Sequence, residues 1–143
     1  MGVEVKEDRV AADALTAGTG STAGAPLISV EDLHTSFHVA EGEVKAVSGV
    51  SFTLDRGQTL GIVGESGSGK TVLARSIMRL NLGSNVVTTG SAVFEGRDLL
   101  GLSSADMRSL WGTELAMVFQ DPMTSLNPLV RVGRQVTEHL RQH

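Results

Sequence analysis

Residues 64–71 read GESGSGKT, a full match to G-x-x-x-x-G-K-[ST], set between an apolar run and a helical one. Before it, Thr59-Leu60-Gly61-Ile62-Val63 has the composition of a buried strand. Behind it, Leu73, Ile77 and Leu80 fall at i, i+4 and i+7, one face of a helix over residues 71–80. The glycines therefore have to turn a strand into a helix N-terminus. There the backbone N–H groups of Ser66, Gly67, Ser68, Gly69, Lys70 and Thr71 have no helical acceptors, and the helix dipole adds roughly half a positive charge. Such a turn is a phosphate-binding loop. Gly64 opens it, Lys70 reaches the outer phosphates as a point charge, and the Thr71 hydroxyl ligates a bridging Mg2+.

Neighbouring motifs do not fit the same residues. A nucleophile elbow G-x-S-x-G fails because Ser68 stands where its second glycine belongs. A dinucleotide fingerprint G-x-G-x-x-G fails because Gly67 and Gly69 are followed by Val72. The expected ligand is a nucleoside phosphate, bound with Mg2+. Since the chain holds 17 glycines, the plainer reading of a flexible Gly/Ser turn stands beside this one, and the flanking strand and helix decide against it.

With 143 residues the chain has room for one domain, and residues 1–26 add little to it. They are rich in Ala, Gly, Thr and Ser, carry a cluster of charges and hold almost no large apolar side chains, so a disordered tail is expected, followed by a domain over residues 27–143. No apolar h-region follows the start and no apolar run approaches the roughly 20 residues of a membrane span, which predicts a cytoplasmic protein. The absence of cysteine excludes disulfides, thiolate metal sites and a cysteine nucleophile. Sixteen acidic against twelve basic residues leave a net charge of -4, which disfavours nucleic acid as a partner.

Residues 27–39 and 44–54 form antiparallel strands around the turn at Glu41-Gly42, residues 83–89 form a loop, and residues 91–95 a short strand closed by Gly96. Ser103-Ser104-Ala105-Asp106 is capping-box-like and opens a short helix with Met107, Leu110 and Trp111 as packing residues. Residues 114–119 form a second apolar strand that runs into Gln120-Asp121-Pro122. After Pro128 a last helix places Val132, Val136 and Leu140 on one face. Two readings of the strand end compete: Asp121 as a Mg-holding carboxylate, one residue late and on the opposite side, or Gln120 with its amide aimed at Mg2+ and an attacking water. His139 and His143, four apart at the chain end, have metal-ligand spacing but no third ligand nearby, and suit a negative helix C-terminus better.

Met117-Val118-Phe119-Gln120-Asp121-Pro122-Met123-Thr124-Ser125-Leu126-Asn127-Pro128, taken with GESGSGKT, resembles the ATP-binding subunits of ABC importers, above all the dipeptide, oligopeptide and nickel uptake branch. The resemblance runs from about Leu27 onward. It implies an α/β P-loop NTPase of the ABC nucleotide-binding-domain type, with an antiparallel β element and the start of a helical subdomain. It makes Gln120 the catalytic-site glutamine and, with Thr71, a Mg2+ ligand. It also makes Phe37 an aromatic that stacks on adenine. The implied partners are transmembrane permease subunits and a second ATP-binding subunit, and the implied place is the inner face of the cell membrane, peripherally attached. Such proteins go on to a Leu-Ser-Gly-Gly-Gln signature, a strand ending in Asp-Glu and a switch histidine, none of which follows Gln120 here. The expectation is thus a truncated, front part of a transport ATPase. A non-catalytic nucleotide-binding remnant and a small P-loop phosphotransferase remain as alternatives.

Overall fold

The computed structural model describes residues 24–81, 83–119 and 126–142. The expected tail lies, up to residue 23, outside the described residues, as do Gln120, Asp121 and His143. The described residues divide after Leu102 into two compact units.

The first unit is a four-stranded antiparallel sheet with one helix. Its strands are β1 (Ile28–Val39), β2 (Gly42–Leu54), β3 (Val86–Phe94) and β4 (Arg97–Asp98), in the order β2-β1-β3-β4. Helix α1 (Lys70–Ile77) connects the β1–β2 hairpin to β3 and lies against β1 and β2. Strict alternation along β1 would bury Val30, Asp32 and His34. A bulge prevents it: Asp32 takes a left-handed φ of 45°, the register slips between Val30 and Leu33, and the extra residue brings Leu33 and Thr35 inward. Ser51 Oγ accepts the Asp32 N–H at 2.9 Å, and the Asp32 carboxylate accepts from His34 Nε2 at 2.9 Å on the exposed side. His34 is thus a surface residue partnered by a carboxylate.

Strand β3 begins at Val86, inside the stretch expected to be a loop. Gly83, Ser84, Asn85 and Gly90 give that stretch its loop-like composition, but Val86, Val87, Thr88 and Thr89 are β-branched, stiff at χ1, and pair with Phe37, Ser36, Thr35 and His34. The β3–β4 turn runs through Glu95 and Gly96 with φ of 48° and 76°, both positive as a two-residue type I′ hairpin requires. Val30, Leu33, Val47, Leu73, Ile77, Ala92, Phe94 and Leu99 form the buried apolar set of this unit.

Helix α1 stops at Ile77, short of Leu80. Arg79 adopts φ of 53°, Leu80 N–H donates to the Arg75 carbonyl at 2.7 Å and Arg79 N–H to that of Ser76 at 3.1 Å, a Schellman ending built on arginine. The Arg79 guanidinium then donates to the carbonyls of Leu99 and Leu102, which explains its place where glycine is usual.

The two apolar runs expected as strands are not paired. Residues 58–65 have no regular secondary structure and join no sheet, with Ile62 44% and Val63 82% exposed. Residues 116–119 behave alike, with Val118 96% exposed, after a single bridge between Trp111 and Leu115. A continuous apolar strand belongs in a sheet covered on both faces, and neither run pairs with a strand among the described residues. Apolar composition set the tendency; pairing needs a neighbour.

In the second unit, α2 (Ser104–Leu110) starts as the capping pattern predicts. Ser103 Oγ accepts the Asp106 N–H at 3.1 Å and donates to the Asp106 carboxylate at 2.6 Å, while Met107 and Leu110 are buried. Helix α3 (Val132–Gln142) follows a turn held by Gln135, whose amide accepts the Asn127 N–H at 2.8 Å and donates to the Asn127 and Val130 carbonyls at 2.9 and 2.7 Å. Val132 and Val136 on this helix are exposed, at 57% and 67%.

Candidate functional site

The eight residues of the GESGSGKT segment, 64–71, lead from the unpaired run 58–63 of the first unit into the first turn of α1. Gly67 and Gly69 carry φ of 85° and 88°, and these two left-handed residues reverse the chain into the helix. Gly69 is the N-cap of α1 and supplies no side-chain acceptor; the first intrahelical bond is Leu73 N–H to the Gly69 carbonyl at 2.8 Å. The N–H groups of the first turn are therefore left for an external acceptor, and no acidic side chain stands in that turn to compete for the dipole.

Two close approaches crowd the turn, and the one at Gly69, against backbone, leaves room for nothing larger than glycine. A Cβ on Gly69 would run into the Ala46 carbonyl of β2, and one on Gly64 would lie 2.6 Å from Ser68 Oγ. The loop is thereby seated on the backbone of β2.

Lys70 folds back across the turn. Its ammonium donates to the carbonyls of Gly64 at 2.8 Å and Glu65 at 2.6 Å and to Ser68 Oγ at 3.2 Å. Those are three donors on three oxygens, so the positive charge stands over the uncapped helix start and inside the turn. Thr71 is the next residue, exposed on the first turn, where its hydroxyl is a hard oxygen of the kind Mg2+ takes. Ser66 and Gly67 form the exposed rim. Glu65, a tempting base from sequence, contributes its carbonyl to Lys70.

Phe37 is half-buried on β1, paired with Val44 of β2 on one side and Val86 of β3 on the other. Val44 stands two residues before Ala46, the residue under Gly69, so β2 carries both the partner of the aromatic and the seat of the phosphate loop. Gln120 lies outside the described residues. Among the described residues there is no cluster of three or more His, Cys, Asp and Glu that could hold a metal ion. No helix of the described residues is long and apolar enough to cross a membrane.

Three participants escaped the motif reading. The Ala46 carbonyl is a backbone group, invisible to any motif. Ser76 and Thr35 are buried at 2% and 0% exposure and join α1 to β1 through their hydroxyls; the one available signal was a serine on the apolar face between Leu73 and Ile77.

A family described as ABC transporter matches residues 47–142. Among curated proteins, the chain is 51% identical over 118 residues to the oligopeptide transport ATP-binding protein OppD of Bacillus subtilis, covering 82% of this chain and 33% of that protein. It is 47% identical over 117 residues to the dipeptide transport ATP-binding protein DppD of Lactococcus lactis subsp. cremoris, covering 82% of this chain and 34% of that protein. The OppD of Salmonella typhimurium is 49% identical over 117 residues, with 82% and 35% covered. The chain thus spans about a third of the length of the curated relatives it matches. Because the match takes in the uncapped helix, the glycine turn and Lys70 together, the chain belongs to the ABC transporter family and carries part of its P-loop ATPase domain, a nucleotide-binding domain.

Proposed function

We propose that the chain binds MgATP at residues 64–71 as part of the energising subunit of a peptide-type ABC importer. The observation that carries this is the convergence of an uncapped helix N-terminus and the Lys70 ammonium on one glycine turn. Backbone N–H groups of the turn hold phosphate oxygens, Lys70 neutralises their charge by leaving the Gly64 and Glu65 carbonyls, and Thr71 with Gln120 holds Mg2+. Bound MgATP supplies the phosphoanhydride whose hydrolysis drives transport in such machines. This chain's residues position and neutralise its phosphates, which is most of what catalysis of that reaction demands.

The substrate class and partners rest on the relatives, which are described as dipeptide and oligopeptide transport ATP-binding proteins. By that likeness the subunit works with transmembrane permease subunits and a second ATP-binding subunit, peripherally attached on the inner face of the membrane. Calorimetric titration of the full chain with MgATP tests the first step. Saturable binding that pyrophosphate displaces is the expected result; no saturation up to about 1 mM, a binding free energy weaker than about -4 kcal/mol, would reject it.

Phe37 is the proposed adenine platform. Phe37→Ala is expected to weaken binding by roughly 1–3 kcal/mol of base stacking, with ATP and GTP affected alike because every base offers a π-face. If the variant binds both nucleotides as the wild type does, the half-buried ring serves only the sheet.

A further inference from the structure

We infer that Thr35, Ser76 and Thr88 form a positioning relay that sets the orientation of the phosphate-loop helix relative to the strand bearing Phe37, and so the span between the adenine platform and the phosphate cradle. The inference rests on the proposed binding of ATP.

The hydrogen bonds have one consistent direction. Ser76 donates its hydroxyl proton to the Val72 carbonyl at 2.7 Å, so its oxygen is left as an acceptor. It accepts from Asn81 Nδ2 at 2.8 Å, and the second lone pair takes the Thr35 hydroxyl at 2.7 Å. Thr35, its proton spent on Ser76, accepts from the Thr88 hydroxyl at 3.3 Å. A chain of hydroxyls therefore runs from β3 through β1 into α1, and Ser76 has no hydrogen-bonding capacity left over. Thr35 and Ser76 are 0% and 2% exposed, and Val and Ala of similar shape would fill the same space without any need for partners. Such a fully satisfied network fixes one packing where apolar residues would permit several.

Its location gives the network a role in binding. Beside the apolar packing of Leu73 and Ile77, which permits sliding, helix α1 is tied to the sheet at two directional points: Gly69 against the Ala46 carbonyl at its N-terminus, and Ser76 against Thr35 near its C-terminus. One contact alone leaves a pivot, whereas two fix an orientation. Thr35 lies two residues before Phe37, and between them β1 pairs with β3 in unbroken register, so both project on one face. Releasing Ser76 from Thr35 lets α1 swing about Gly69, moving the helix relative to Phe37 while leaving the turn at residues 64–71 intact.

The test compares ATP with tripolyphosphate, which needs the cradle but has no base to reach Phe37. In the full chain, Thr35→Val is expected to raise the Kd for MgATP about three- to tenfold, the loss of one hydrogen bond's worth of positioning, with the Kd for magnesium tripolyphosphate unchanged within about twofold. Thr35→Ser, which keeps the hydroxyl, should restore ATP affinity, and Thr35→Val should add nothing in a Ser76→Ala background. Parallel loss of both ligands in Thr35→Val, or unchanged ATP affinity, would overturn the relay and leave the hydroxyls a purely structural role. Should Thr35→Val fail to fold, Ser76→Ala, which replaces a small hydroxyl by a methyl, carries the same comparison with the same two outcomes. A wild-type chain that binds neither ligand would sink the nucleotide reading and the relay with it, a result distinct from the loss of the relay alone.

Discussion

Gly69→Ala is expected to destabilise the first unit by about 2–5 kcal/mol, the sum of about 1–2 for a left-handed backbone at a residue with a Cβ and about 1–3 for overpacking. At φ of 88° the new methyl points into the Ala46 carbonyl, and neither group is a flexible side chain that could move aside. Gly67→Ala is the internal control. Gly67 has nearly the same φ, 85°, but nothing within 4 Å of its would-be Cβ, so it should lose only the backbone part. Urea unfolding of the three proteins separates the two contributions. Equal losses for the two variants would show that the seat of the loop on β2 yields, and that the phosphate turn is not anchored there.

The contrast between those glycines shows what a motif conveys. GESGSGKT announces that glycines are required and where the helix starts, because both follow from local backbone geometry. The turn into α1, the Ser103 cap and the β1–β2 hairpin were legible for the same reason: each is decided within a few residues. The reason Gly69 must be glycine is a carbonyl more than twenty residues upstream, which no local pattern encodes. The bulge at Asp32 is of the same kind. Val30 and Leu33 are three apart, a spacing that fits neither face of a regular strand, and only the extra residue lets both be buried.

The misread segments failed through pairing. Residues 86–89 carry the β-branched side chains of a strand but sit among Gly, Ser and Asn, and the β1 edge decided the outcome. Residues 59–63 and 116–119 have strand composition but pair with no strand among the described residues, and Val63 and Val118 are exposed. For the site, the loop residues and Lys70 came together as the spacing demanded, and Phe37 stands on the strand beside the loop's seat. The Thr35–Ser76 hydrogen bond, which joins positions 41 residues apart, was out of reach of any periodicity.

Lys70→Ala should have the largest effect on binding: a rise in the Kd for MgATP of about ten- to a hundredfold, the equivalent of about 1.5–3 kcal/mol for a charge-assisted hydrogen bond. The stability of the chain should change far less. The bonds from Lys70 to Gly64, Glu65 and Ser68 are made at a half-exposed turn, where water readily replaces a lost donor, so a loss under about 1 kcal/mol is expected in the same urea experiment. The separation of the two effects is the informative part. An ammonium that serves only to close the turn would cost stability and leave affinity alone, whereas one that exchanges two carbonyls for phosphate oxygens costs affinity and leaves stability nearly alone. Lys70→Arg should not restore binding, because a planar fork cannot occupy the compact position over Gly64 and Glu65 that a rotating ammonium fills. Raising the ionic strength should narrow the gap between wild type and Lys70→Ala, since the contribution of the ammonium is electrostatic and screened by salt. Wild-type affinity in Lys70→Ala, measured by calorimetry on a folded sample, would remove the phosphate from this loop and reduce residues 64–71 to a glycine turn.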